Sequence, residues 1–141
     1  MKTIPTVSRI VGAFTVQANN IMQIDKVIEY FMENMDIIFY SHRVQYPRAL
    51  SAQCIPPQLK QQVIAKLEAM KTKVLDYKLV KSDDRIKEFT LTQIQDNINF
   101  LKADDLHDEL WQDCINFNRN LDKSRKQGPF EVINPEFAPY V

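Results

Sequence analysis

The sequence has few of the residues on which several classes of protein depend. Only two of its 141 residues are glycine, which argues against a glycine-rich phosphate loop and against an all-β fold full of tight turns. The 18 basic and 18 acidic residues cancel, so no overall field attracts nucleic acid or an anionic membrane. No apolar run approaches the roughly 20 residues of a membrane span, and the N-terminus has no signal-peptide core. We therefore expect a cytoplasmic protein.

Cysteine is equally scarce. Cys54 and Cys114 are the only two, and they lie sixty positions apart. They are too few for a disulfide scaffold and lack the close spacing of a zinc or iron–sulfur site. We expect two reduced thiols, with Cys114 in the core, and no cofactor held by this chain.

Residues 8–17 and 36–46 predict two β-strands. The first is apolar on both faces, as expected for a parallel strand covered by helices. The second begins as an apolar run and should end at Tyr46, because Pro47 favours an extended residue before it and lacks a backbone donor. Between them, apolar residues from Ile21 to Met35 recur at steps of three and four, which predicts an amphipathic helix. Such a βαβ unit should be right-handed with parallel strands.

The residues after Pro57 predict helices. A long amphipathic helix follows at once, and a second helical segment, which Thr90 and Thr92 interrupt, follows a hinge near residues 81–84. A last helix begins near Asp104 and Asp105, whose carboxylates suit the positive end of its dipole. Its predicted buried stripe consists of Leu106, Leu110, Cys114, Phe117 and Leu121, with Trp111 beside it.

The predicted fold class is therefore α/β, in a single domain. Residues 1–57 form the βαβ unit, residues 58–125 a helical region, and residues 126–141 an extended, proline-containing tail that packs back onto the body. Two strands alone leave two open edges and rarely support a stable sheet. We therefore expect either a homodimer or a missing part of a larger barrel, and no nucleic-acid or membrane partner.

Three segments resemble one protein superfamily. TVQANN at residues 15–20 resembles the strand end TVxxxN of barrels in radical S-adenosylmethionine enzymes. YPRALSAQCIPPQLK at 46–60 is similar to a PEYLSxQxLPxxLK segment in the group that carries a twitch region. LDKSR at 121–125, followed by NPEF at 134–137, is similar to the end of those proteins. The resemblance implies the C-terminal half of such a barrel, equivalent to part of a (β/α) TIM-type barrel.

The resemblance also shows which features of that superfamily are absent from this sequence. Relatives hold a [4Fe–4S] cluster through a CxxxCxxC loop and cleave S-adenosylmethionine reductively, and that loop is absent here. The family's PEY corresponds to Pro47, Arg48 and Ala49, so a base replaces an acid. By the same resemblance, Thr15, Gln17 and Asn20 at the end of the first strand, and Ser41 and Arg43 at the end of the second, face a cofactor or substrate. Arg43 is the expected anion contact.

Three functional hypotheses follow. The first is a truncated radical S-adenosylmethionine protein that is inactive alone. The second is a small, self-associating binding or interaction protein on a half-barrel scaffold. The third is a hydrolase that uses His42 or His107, for which the sequence shows no nucleophile, base and orienting group together.

Overall fold

The computed structural model describes residues 11–35, 38–78 and 84–141, and most of these residues are helical. The elements are β1 (Val11–Val16), α1 (Ile24–Met35), β2 (Ile38–Arg43), α2 (Pro57–Asp76), α3 (Asp84–Ala103), α4 (His107–Arg125) and α5 (Phe130–Ile133). Short 3-10 turns lie at Ile21–Gln23, Arg48–Leu50, Ala52–Cys54 and Pro135–Tyr140. Among the described helices, none combines the length and the apolar character that crossing a membrane requires.

The two strands form a parallel sheet, which confirms the predicted strand–helix–strand unit and the mixed α/β class. The predicted positions 8–10 and 36–37 lie outside the described residues. The predicted end of the second strand at Tyr46 is wrong, because β2 ends at Arg43. The amide of Val44 still donates to the carbonyl of Val16 at 2.9 Å. Because β1 ends at Val16, the ladder between the two strands ends with this bond.

One face of the sheet packs against α1. The Phe31 ring of α1 lies over Gly12, so close that a Cβ at residue 12 would be 2.6 Å from it. Phe31 also contacts Phe39 of β2, with ring centroids 6.1 Å apart, and Phe39 contacts Phe14 at 6.3 Å. This cluster of rings joins the crossover helix to both strands.

The opposite face of β1 is open. Val11, Ala13 and Thr15 are exposed, whereas the alternate residues of the strand are partly or fully buried. The prediction of a strand covered on both faces is therefore wrong for the described structure. The physical reason is that α1 covers one face, and no described helix shields the outward side chains of β1.

The outer edge of β2 is closed by a helix. The amide of Ser41 donates to Oε1 of Gln93 on α3 at 2.9 Å, and the Ser41 hydroxyl contacts the same oxygen at 3.0 Å. Nδ2 of Asn97, one turn further along α3, donates to Ser41 Oγ at 2.7 Å. The expectation of an open edge is thus wrong for β2, because amide side chains of α3 stand where a third strand would pair.

Helices α2 and α3 are long and pack against each other. Pro57 starts α2 at a position where its missing amide costs no hydrogen bond. The predicted interruption at Thr90 and Thr92 is wrong, because α3 is continuous: Thr90 is fully buried, and the Thr92 hydroxyl bonds back to the Glu88 carbonyl. The buried side chains of these helices include Leu59, Val63, Leu67, Val74, Ile94, Ile98 and Leu101.

Helix α4 begins at His107, two residues after the predicted start. Asp105 acts from outside the helix, where its Oδ1 accepts the amide of His107 at 3.2 Å. The predicted stripe is partly wrong, since Phe117 is exposed and Leu121 is only partly buried. The buried face consists of Leu110, Trp111, Cys114, Ile115, Asn118 and Asp122. Two of these buried residues, Asn118 and Asp122, are polar, so apolar spacing does not identify them as buried.

The C-terminal residues pack back onto the body, as predicted, but they are not extended. They form α5 and the 3-10 turn Pro135–Tyr140, and they bury Phe130 and Phe137 in the core. Both carboxylate oxygens of Asp122 hold this segment: Oδ2 accepts the Phe130 amide at 2.9 Å, and Oδ1 accepts Nε2 of Gln127 at 2.7 Å. The prolines therefore begin short helical turns rather than prevent them.

Candidate functional site

The first group of predicted site residues lies where β1 ends, and it is tied together by local hydrogen bonds. The amide of Gln17 donates to Oδ1 of Asn20 at 3.0 Å. Nδ2 of Asn20 donates to the Thr15 carbonyl at 2.8 Å. Asn20 therefore uses both ends of its amide to close the turn after the strand. Thr15 is exposed and lies opposite His42 in the register of the sheet.

The second group lies where β2 ends, and its two members differ. Ser41 is buried, and its hydroxyl is engaged by Gln93 and Asn97 of α3. Arg43 is partly buried, and its guanidinium lies over the ring of Phe100, 5.8 Å from the centroid. Its Nη1 is buried and has no hydrogen-bond partner among the described residues. Of the predicted site residues, Arg43 is therefore the one whose side chain has a nitrogen available to bind an anion.

The five predicted residues thus form two groups rather than one cluster. Thr15, Gln17 and Asn20 stay together because they belong to one strand end and its turn. Ser41 and Arg43 share the face of β2 opposite Tyr40 and His42, and both contact side chains of α3.

A groove beside Arg43 was not predicted from the sequence. It has a volume of about 490 Å³, and we call it the Phe100 groove. Phe100 both lines the groove and lies under the Arg43 guanidinium. Its lining residues are Gln45, Arg48, Ser51, Gln53, Phe100, Ala103, Asp104 and Leu106. The segment after Pro47 supplies three of these eight residues, so the polar segment that follows the second strand was the available sequence signal.

The polar groups of the groove are largely occupied. Arg48 forms an exposed ion pair with Glu109, with Nη1 and Oε1 2.8 Å apart. Nε2 of Gln53 donates to the Phe100 carbonyl at 2.8 Å. Because these groups already have partners, the free guanidinium nitrogen of Arg43 is the distinctive feature of this end of the sheet.

The two histidines lie in different surroundings. His42 is exposed, and its ring meets that of Tyr40 edge-on, with centroids 4.7 Å apart. His107 is partly buried: its ring contacts Trp111, and Nδ1 lies 3.2 Å from the Cys54 carbonyl. The contacts described for these rings include no hydroxyl or thiol nucleophile.

The donor set does not fit the iron–sulfur cluster of the resembled superfamily. Such a cluster takes three thiolates from the protein in that family, whereas the chain has two cysteines, both buried. Within the described ranges, no three His, Cys, Asp or Glu side chains are grouped to hold a metal ion. We therefore derive no reaction step through a cluster.

Comparisons of the chain with protein-family models, with curated proteins and with solved structures find no match. The resemblance to radical S-adenosylmethionine enzymes consists of the three sequence segments alone.

Proposed function

We propose that this chain is a binding and assembly protein whose sheet takes up a further strand at the outer edge of β1. The observation that carries this proposal is the asymmetry of the sheet. Gln93 closes the edge of β2, whereas the described chain has no strand beyond β1. The occupant we propose is a second copy of this chain.

The backbone of β1 supports strand addition. In a parallel ladder, every second residue directs its amide and its carbonyl to the partner strand. The bond from the Val44 amide to the Val16 carbonyl shows that Val16 is one of the residues of β1 that pair with β2 in this way. The amides and carbonyls of Val11, Ala13 and Thr15 therefore point to the outer edge. Asn20 satisfies the Thr15 carbonyl, so among the described residues of β1 the outward groups of Val11 and Ala13 are the ones on offer for pairing.

The side chains on the open face of the sheet are also suited to packing beside another sheet. Val11 is 50% exposed, and the outward residues Ala13, Thr15, Tyr40 and His42 carry no permanent charge. A neutral, partly apolar strand face favours another sheet over nucleic acid or an acidic surface. Pairing of two β1 edges about a twofold axis gives both copies the same contact and leaves no further edge.

Sedimentation velocity at micromolar concentration tests this proposal. We expect a dimer for the wild type and a monomer for Val11→Glu, because a carboxylate on the shared edge would be buried without a partner. Val132→Glu is the matched control, since Val132 is 71% exposed on α5 and should leave the dimer intact. Ala13→Pro removes an outward amide donor and should also give a monomer. A monomeric wild type would refute the proposal.

The sequence resemblance favours a second candidate function, in which the occupant of the edge is the missing half of a radical S-adenosylmethionine barrel. This chain would then be the inactive C-terminal half of such a protein. The unpartnered Nη1 of Arg43 supports a residual anion site at the strand end. Without the CxxxCxxC loop, the isolated chain should stay colourless after anaerobic reconstitution with iron and sulfide.

Titration with S-adenosylmethionine separates the two candidates. The second candidate predicts weak binding that Arg43→Ala weakens further, while Arg48→Ala, which removes an exposed ion pair, serves as the control. Equal affinity of wild type and Arg43→Ala would remove Arg43 from any such site. A stable brown protein with about four irons per chain would overturn the expected lack of a cluster.

A further inference from the structure

The two cysteines of the chain meet in its core, although sixty positions separate them in the sequence. Cys54 ends the 3-10 turn Ala52–Cys54, and Cys114 lies in the middle of α4. Both are 0% exposed members of the same core cluster, because the 3-10 turn Ala52–Cys54 packs against α4, and each thiol acts on the pKa of the other. This contact joins the segment that follows β2 to the helix that carries the C-terminal segment.

The surroundings of the two sulfurs are different. Sγ of Cys54 lies 3.6 Å from the Ala49 carbonyl, in a segment whose residues 49 and 50 are partly exposed. The ammonium of Lys60 is held nearby, where it donates to the Gln53 carbonyl at 2.9 Å. Sγ of Cys114 instead accepts a bond from Nδ2 of Asn118 at 3.6 Å, inside α4. Cys54 is thus the sulfur that adjoins a partly exposed segment and that the charge of Lys60 influences.

These surroundings shift the pKa values of the two thiols in opposite directions. The hydrogen bond with Cys114 lowers the pKa of Cys54, and Lys60 adds a smaller effect in the same direction against the cost of burial. The hydrogen bond with Cys54, together with burial, raises the pKa of Cys114. Of the pair, Cys54 is the one that ionises first, and a thiolate is the form of cysteine that reacts.

We propose that Cys54 and Cys114 are a redox-active dithiol that forms a reversible intramolecular disulfide when the chain meets a peroxide. The Cys54 thiolate attacks one oxygen of hydrogen peroxide, the O–O bond breaks, and the released hydroxide takes a proton to become water. Cys114 then attacks the sulfenic sulfur of Cys54 and displaces the second oxygen as water. Two S–H bonds are lost, one S–S bond forms, and the peroxide is reduced to two waters.

The contact between the thiols makes the second step faster than further oxidation. Because Cys114 already touches Cys54, the sulfenic acid meets a thiol before it meets a second peroxide. Because both thiols are fully buried, the reaction requires a local opening of the 3-10 turns at residues 48–54 through which hydrogen peroxide reaches Cys54. The disulfide would fix that segment to α4, whereas the reduced pair leaves the two free to separate.

Intact-mass measurement of the full chain after treatment with stoichiometric hydrogen peroxide tests the proposal. The folded protein should lose about 2 Da, the two hydrogens, and dithiothreitol should restore them. Oxidation of its five methionines would add mass instead, and a disulfide between chains would double the mass, so neither imitates this change. Peptide mapping of the oxidised wild type should recover Cys54 and Cys114 in one linked pair.

Serine variants test the division of roles. In Cys114→Ser we expect Cys54 to gain about 16 Da as sulfenic acid and to react with dimedone. In Cys54→Ser we expect the remaining thiol to stay reduced on the same timescale. The reverse pattern would overturn the assignment of roles. A wild type that keeps both thiols while folded, yet forms the disulfide after unfolding, would overturn the proposal whether or not the variants fold.

Discussion

The Phe31 ring of α1 lies directly over Gly12 of β1, and a Cβ at residue 12 would approach the ring to 2.6 Å. Glycine is required here by close packing rather than by backbone conformation, since the residue lies in a regular strand. The same ring also reaches Phe39. The absence of a side chain at residue 12 therefore sets how closely the crossover helix approaches the sheet.

We predict that Gly12→Ala lowers the free energy of unfolding by about 1–3 kcal/mol, the usual cost of forcing extra volume into a packed core. Gly128→Ala is the matched control, because nothing lies within 4 Å of the Cβ that it would add. Urea denaturation of both variants measures the difference. Adding Phe31→Leu should recover part of the loss in Gly12→Ala, and a failure to recover would place the strain elsewhere.

A second prediction concerns the closed edge of β2. Gln93→Leu removes the acceptor of the Ser41 amide and should lower the free energy of unfolding by about 1–3 kcal/mol, because a buried donor is left unsatisfied. Gln112→Leu is the control, since Gln112 is exposed and its side-chain amide donates to Asn116 on the same helix. Amide hydrogen exchange should quicken at Ser41 in the first variant alone. Unchanged protection of that amide would contradict our account of the edge.

The sequence predicts the sheet and most helices well because those elements depend on local periodicity. Strand β1, helix α1 and strand β2 follow from apolar spacing, although β2 ends at Arg43 rather than at the residue before Pro47. The closed edge of β2 does not, since Gln93 has no apolar signature and lies 52 positions from Ser41 along the chain. The tail was predicted to be extended because prolines disfavour long helices, yet Asp122 holds it in short helical turns.

The candidate site shows the same division. Polar residues at two strand ends could be predicted, but their partners come from distant elements. Asn97 and Gln93 engage Ser41, and Phe100 lies under Arg43. The proximity of Cys54 and Cys114 could not be predicted either, because a spacing of sixty positions matches no motif. Such pairings depend on how α3 and α4 pack, which residue patterns along the chain do not specify.

A third prediction follows from a buried lysine. Nζ of Lys60 donates to the Gln53 carbonyl at 2.9 Å, to the Asp104 carbonyl at 3.4 Å and to Oδ1 of Asp105 at 3.1 Å. The hydrogen bond from Lys60, followed by that from the His107 amide, lowers the pKa of Asp105 below its ordinary value. A carboxyl with a lowered folded pKa stabilises the protein above its unfolded pKa and loses that contribution as pH falls through the folded one.

We therefore expect the stability of the wild type to decrease below the ordinary aspartate pKa of about 3.9. In Asp105→Asn part of this decrease should be absent, and the two proteins should converge at the acid end. The difference at neutral pH should be at most about 1 kcal/mol, because the side chain of Asp105 is 60% exposed. Thermal unfolding between pH 2 and 7 measures this, with Asp113→Asn as the control. Parallel pH profiles for wild type and Asp105→Asn would contradict the assignment.

The last prediction concerns the C-terminal segment, which Asp122 holds against the body. Asp122→Ala leaves the Phe130 amide without its acceptor and frees Gln127, so we expect a loss of about 1–3 kcal/mol in the free energy of unfolding. Trp111 reports on the segment, because its Nε1 donates to the Tyr140 carbonyl at 2.9 Å and its ring lies 5.4 Å from that of Phe137.

If the segment separates from the body in Asp122→Ala, Trp111 loses these contacts and its emission shifts to longer wavelength before global unfolding. Asp113→Ala, an exposed position on the same helix, should leave the emission unchanged. The chain has a single tryptophan, so the signal has one source. If emission and stability of Asp122→Ala equal those of the control, the aromatic contacts of Phe130 and Phe137 hold the segment without the carboxylate.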